Sequence, residues 1–136
     1  MVVTLILKTK KDIENRNDIK LLIDAFYKRV IVDELIGHFF IKVVILDWDK
    51  HIPVMVDFWE TTLFGTIIYK GNPMLKHIEL NKMEKITPEH FNRWWFLWES
   101  TIQRSFSGVK ADQTIQKARQ IGELMKYKIQ QFSTKH

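Results

Sequence analysis

Apolar residues recur with the period of an α-helix along nearly the whole of this 136-residue chain. We expect a first helix to begin near Asp18, and its apolar face holds the residues at i, i+3, i+4 and i+8: Leu22, Ala25, Phe26 and Val30. Three further helical stretches follow, with no internal repeat, linker or low-complexity tract between them. The pattern predicts an all-α fold of four substantial helices packed helix on helix.

The second predicted helix lies in the segment DWDKHIPVMVDFWETTLFG, which starts at Asp47. Proline is tolerated in the first turn of a helix but costs about 3 kcal/mol in the interior, so Pro53 limits where this helix can start. Asp49 as the N-cap would leave Pro53 near the end of the first turn. We expect Gly65 to mark the end or a bend, and the buried stripe to consist of Met55, Phe58, Trp59 and Leu63.

The third predicted helix has the clearest start, because Thr87 is a good N-cap and Pro88 suits the first helical position. Ile86 can pack on Phe91 as a hydrophobic staple. Its stripe is expected to consist of Phe91, Trp94, Trp95, Trp98 and Ile102. After the turn SGVKAD, the fourth helix carries Ile115, Ala118, Gly122, Met125, Ile129 and Phe132.

Two segments are less regular. The run IKVVIL, residues 41–46, has strand-like composition but no partner strand elsewhere, so we expect an irregular or extended connection. Residues 1–17 form an N-terminal extension of uncertain structure. By size, residues 1–136 are expected to form one domain.

Composition narrows the class of protein. The chain has no cysteine, which excludes disulfides, thiolate metal sites and cysteine nucleophiles and suits a reducing cytoplasm, the expected location. The net charge is +5, but acidic residues are interspersed with the basic ones and no helix face carries a basic stripe, so no nucleic-acid partner is expected. The opening MVVTLILK is too short to span a bilayer and does not resemble a signal peptide, so no membrane insertion is expected.

Aromatic residues are dense, with nine Phe, five Trp and three Tyr, which indicates either an aromatic core or a pocket for a flat apolar ligand. No HExxH or comparable zinc motif is present. His90 and His136 are expected at the surface. His51 and His77 are 26 residues apart, across one helix and one turn, so one imidazole could approach each face of a planar group.

Taken singly, the other candidate residues have ordinary explanations. A tyrosine beside a buried stripe, as Tyr27 is, normally bonds a backbone carbonyl or reaches solvent. Trp94 is as readily a core residue, although its indole N–H can only donate. Met55, on the turn after His51, is as readily a packing residue.

Taken together, these residues resemble the group III truncated haemoglobins over roughly residues 18–132. That family has a Phe-Tyr pair on its B helix, a Phe at the CD corner, a histidine on the E helix with a Phe-Trp pair seven residues later, a Tyr-x-Gly-x-Pro-x-x-x-His segment and a Trp on the G helix. The corresponding residues in this chain are Phe26 and Tyr27, Phe40, His51, Phe58 and Trp59, the segment YKGNPMLKH, and Trp94.

The resemblance implies a two-over-two helical sandwich, with helices B and E over G and H around haem b. His77 would be the proximal ligand of the iron, through a neutral imidazole nitrogen. Tyr69 and Lys76 are candidates for steadying the haem propionates.

On the distal side, the resemblance implies that Tyr27, His51 and Trp94 surround the bound ligand. Phe40 would wedge against the porphyrin, and Met55 would take an apolar distal position.

The implied function is binding of O₂ and other diatomic ligands. One alternative is a haem redox enzyme, a nitric oxide dioxygenase or peroxidase-like protein, that needs an external reductase as its partner. A more remote one is a helical interaction protein without haem.

Overall fold

A computed structural model describes residues 10–43, 47–65 and 85–134 of the chain, apart from the side chains of residues 42, 43 and 132–134. The prediction of an all-α fold is confirmed, because no strand occurs in these ranges. The elements in chain order are α1 (Arg16–Val30), a π-helical turn (Phe39–Val43), α2 (Trp48–Phe64), α3 (Pro88–Ser105) and α4 (Val109–Thr134).

The helices form two layers. Helix α1 packs against α2 and α3, α3 packs against α4, and α2 also contacts α4. The pair α1 and α2 therefore lies over the pair α3 and α4, which is the two-over-two sandwich expected from the sequence. The core between the layers is aromatic: Phe26 and Trp98 are each 1% exposed, and their rings meet edge to face at 4.8 Å.

Several helix ends follow the sequence signals. Helix α3 begins at Pro88 after the N-cap Thr87, as expected, and Gly65 ends α2 with a left-handed φ of 74°. Helix α1 begins at Arg16, two residues earlier than expected, because the side chain of Asn15 accepts the N–H of Asp18 at 3.0 Å.

The expected start of α2 was wrong. Its N-cap is Asp47 rather than Asp49, since the carbonyl of Asp47 accepts the N–H groups of Lys50 at 3.0 Å and His51 at 2.8 Å. Pro53 consequently lies inside the helix, where it has no N–H to donate to the carbonyl of Asp49 one turn earlier.

The connection between α1 and α2 also differs from expectation. Phe39–Val43 is a π-helical turn, so residues 41–43 are neither extended nor irregular, while residues 44–46 lie outside the described residues. Such wide turns often occur at functional sites.

The described part of the N-terminal extension is tied to α4. The carboxylate of Asp12 accepts the backbone N–H groups of Lys110 and Ala111, both at 2.8 Å, at the start of that helix. Gly108 allows this approach, because a Cβ built on it would lie 2.6 Å from Cγ of Asp12. Ile13 follows and is 1% exposed.

Candidate functional site

A cavity that is partly open to solvent lies where the π-helical turn, α2, α3 and α4 meet. Its described lining is almost wholly aromatic and aliphatic. The lining residues are Ile36, Phe39, Phe40, Met55, Phe58, Trp59, Ile86, His90, Phe91, Trp94, Ile121 and Met125.

Three of the residues singled out in the sequence come together in this lining. Phe40 comes from the π-helical turn, Met55 from α2 and Trp94 from α3. All three are half-buried and pack against the main core. The buried stripe expected for α2 therefore needs correction, because Met55 and Phe58 are half-buried at the cavity wall while Val56 is buried.

Neighbouring rings fix the plane of Trp94. Its ring lies parallel to that of Trp98, with 3° between the planes and 6.4 Å between the centroids. The ring of Phe26 meets it edge to face at 6.2 Å. Contacts of this kind orient the indole, and its N–H with it, from the core side of α3.

Tyr27 and His51 form a pair beside the cavity rather than in its described lining. Nε2 of His51 lies 3.1 Å from the phenolic oxygen of Tyr27, and the two rings meet at 5.2 Å and 71°. Phe40 connects the pair to the cavity, since its ring lies 5.9 Å from that of Tyr27.

The two members of the pair differ in burial. Burial raises the pKa of the Tyr27 phenol well above its ordinary value, so its O–H stays protonated at neutral pH. His51 is half-buried near the start of α2. The half-buried imidazole of His51 therefore lies between the buried phenol of Tyr27 and the protein surface.

Trp48 was not among the residues predicted from the sequence, yet its ring contacts three of them. Its centroid lies 5.2 Å from that of Tyr27, 5.7 Å from that of His51 and 6.5 Å from that of Phe40. The sequence could have identified it, because Trp48 precedes His51 by one helical turn and lies on the same helix face.

The surface position expected for His90 was wrong. This residue is half-buried in the cavity wall, where its ring meets that of Phe39 at 4.9 Å. Its Nδ1 accepts the backbone N–H of Thr87 at 3.0 Å, which closes the first turn of α3. Because Nδ1 accepts, the proton of the neutral ring is on Nε2.

His77, Tyr69 and Lys76 lie outside the described residues, so their roles stay predictions. Within the described ranges, no three His, Asp or Glu side chains group closely enough to bind a metal ion. Likewise, no helix in those ranges combines the length and apolarity needed to cross a membrane.

No protein-family model matches the chain. In sequence the chain is 26% identical over 110 residues to the group 3 truncated haemoglobin of Campylobacter jejuni, covering 79% of this chain and 84% of that protein. In fold it is similar to the crystal structure of the group III truncated haemoglobin from Campylobacter jejuni, with a TM-score of 0.78 and 25% identity, over 89% of this chain and 95% of that one. Sequence and fold thus point to the same kind of globin.

Proposed function

We propose that this chain, which is similar in sequence and in fold to a group III truncated haemoglobin, binds haem in the cavity between α2, α3 and α4 and takes up O₂ and other diatomic ligands there. The observation that carries the proposal is an apolar, ring-lined cavity next to a hydrogen-bonded tyrosine–histidine pair.

The described residues fit the chemistry of a porphyrin. A flat macrocycle with an apolar face needs a crevice of rings and aliphatic side chains with few polar groups, and the cavity has this character. Its walls come from three helices and the π-helical turn, so burial of the group would join both layers of the sandwich. Haem b, the form without covalent attachment, suits a chain without cysteine.

The residue proposed to bind the iron is His77. It lies in the segment between Phe64, at the end of α2, and Pro88, at the start of α3, and both of these helices line the cavity. Bound in this way, the iron would supply an open coordination site for a diatomic ligand. Tyr69 and Lys76 belong to the same segment and are proposed to steady the propionates.

On the other side, the chain would supply hydrogen-bond donors. The single O–H of Tyr27 is shared with His51, and the tautomer of the imidazole decides its direction. When Nε2 of His51 accepts, the phenol donates to it; when Nε2 carries the proton, the phenol accepts and its own proton can turn elsewhere. His51 thereby controls whether Tyr27 is available to a ligand, and Trp94 offers an independent N–H donor.

The same pair favours one second candidate, a haem redox enzyme of the nitric oxide dioxygenase or peroxidase-like kind. A half-buried imidazole bonded to a buried phenol provides a route for a proton between solvent and the cavity side. Such an enzyme would draw electrons from a separate reductase. The O₂ dissociation rate, and turnover of nitric oxide with a reductant present, separate the two functions.

Absorption spectra of the purified chain supplied with haem, in the ferric, ferrous and CO forms, test the proposal. We expect a Soret band in the unmodified protein and loss of stable haem in His77→Ala, while His136→Ala, at the last position of the chain, serves as the matched control. A colourless product after reconstitution would contradict haem binding and favour a helical interaction protein. A normal spectrum in His77→Ala would contradict the assignment of the iron ligand.

A further inference from the structure

Trp48 occupies the first position of α2, directly after the N-cap Asp47 and one turn before His51. Residues three apart on a helix are neighbours, so the indole and the imidazole lie on the same side of α2. Trp48 is half-buried and packs against the main core. Part of its side chain therefore packs against the core, and the rest is in contact with solvent.

The rings of Trp48, Tyr27 and His51 form a closed triangle. The tryptophan meets the tyrosine at 61° and the histidine at 80°, and these two meet each other at 71°. Each of the three contacts is edge to face, the arrangement that aromatic rings prefer. A rotation of any one ring would break two of these contacts.

The backbone at the start of α2 lacks two of its possible hydrogen bonds, although the N–H of His51 donates to the carbonyl of Asp47 at 2.8 Å. The side chain of Asp47 makes no capping hydrogen bond to the described residues, although it stands at the N-cap. Pro53 removes a further hydrogen bond in the next turn, at the carbonyl of Asp49. The hydrogen bond from His51 to Asp47 holds the backbone but not the ring, so the orientation of the imidazole depends on the side chains packed around it, among them Trp48 on the same helix.

We propose that Trp48 is a positioning residue that keeps His51 turned toward Tyr27. The edge-to-face contact between the indole and the imidazole opposes rotation of the imidazole away from the phenol. The consequence for ligand binding rests on the proposed function: with His51 turned inward, its hydrogen bond to Tyr27 sets the direction of the phenol.

Nuclear Overhauser effects between the ring protons of Tyr27 and His51 test the proposal directly. They are measured in the full chain with haem and CO, which is diamagnetic, and in the chain without haem. We expect Trp48→Leu, which keeps apolar volume but removes the ring, to lose the effect between Tyr27 and His51. Trp48→Phe, which restores an aromatic edge, should recover it.

Phe64→Ala is the matched control, because Phe64 is half-buried at the opposite end of α2 and away from the cavity lining. We expect this variant to keep the effect. Retention of the Tyr27–His51 contact in a Trp48→Leu variant of unchanged helix content would overturn the proposal. So would absence of the Trp48–His51 contact in the unmodified protein, a measurement that needs no variant to fold. A chain that takes up no haem would contradict the proposed function while leaving these ring contacts measurable.

Discussion

Nε2 of His51 and the phenolic oxygen of Tyr27 lie 3.1 Å apart, although the two residues are separated by 24 positions in the chain and belong to different helices. The contact joins α1 to α2 at the side of the cavity. Because both groups can donate and accept, the bond couples the protonation of one ring to the orientation of the other. Substitutions at either residue should therefore change ligand chemistry more than they change the fold.

Tyr27→Phe removes the phenol but keeps the ring that packs against Phe40 and Trp48. If the phenol donates to a ligand that carries partial negative charge, its loss should cost about 1–3 kcal/mol, and each 1.4 kcal/mol is a factor of ten. We expect O₂ to dissociate about tenfold faster, as measured by stopped-flow spectroscopy. Tyr127→Phe, at a tyrosine on α4 that is 57% exposed, is the control, and an unaltered rate in Tyr27→Phe would exclude the donor role.

Trp94→Phe tests the second donor. Phenylalanine keeps an aromatic ring beside Trp98 and Phe26 but has no N–H. We expect faster O₂ dissociation again, by a factor of about ten for a bond of this type. Trp95→Phe removes an indole N–H at the next position, outside the described cavity lining, and should leave the rate unchanged. If O₂ dissociates at the same rate from both variants and from the unmodified protein, Trp94 is an ordinary core residue and not a donor.

The start of α3 and the end of α2 were predictable because their signals are local. Thr87 and Pro88 suit the start of a helix, and Gly65 provides the left-handed residue that ends one. The start of α2 was not predictable in this way, because proline inside a helix is unfavourable on propensity alone. The packing of Trp48 against Tyr27 and Phe40 accompanies the earlier start and brings Pro53 into the helix interior.

The candidate site was predictable only in part, for a related reason. Tyr27, Phe40, His51 and Trp94 were recognisable as a set because their order and spacing resemble a family pattern. Periodicity within one helix shows which face is apolar, but it does not show what another segment places against that face. The half-burial of His90 depends on Phe39 in the π-helical turn, a contact that sequence spacing does not reveal.

Gly122→Ala should stabilise the protein. Gly122 is buried in α4, yet a Cβ built there would meet only Cζ3 of Trp94 within 4 Å, at an ordinary contact distance of 3.8 Å. Alanine is favoured over glycine inside a helix by about 1 kcal/mol, so the free energy of unfolding in urea should rise by about that amount. Gly65→Ala should do the opposite, because φ at Gly65 is +74°. A lower free energy of unfolding in Gly122→Ala would mean that the added methyl group disturbs the packing of Trp94.

Asp12→Ala should destabilise the junction between the N-terminal extension and α4. The carboxylate accepts the N–H groups of Lys110 and Ala111, and loss of these bonds should lower the free energy of unfolding by about 1–2 kcal/mol.

The contribution of Asp12 should also depend on pH. Burial alone would raise the pKa of Asp12, but these bonds and the N–H of Ile13 keep the pKa below its ordinary value. A carboxyl group with a lowered folded pKa contributes stability that is present above the unfolded value of about 3.9 and is lost as the pH falls through the folded value. The free energies of unfolding in urea of the unmodified protein and Asp12→Asn should therefore differ at pH 7 and converge as the pH falls below about 3.9 and through the lowered folded pKa. A difference that stays constant over this range would show that the charge of Asp12 does not contribute, and that its oxygens act only as neutral acceptors.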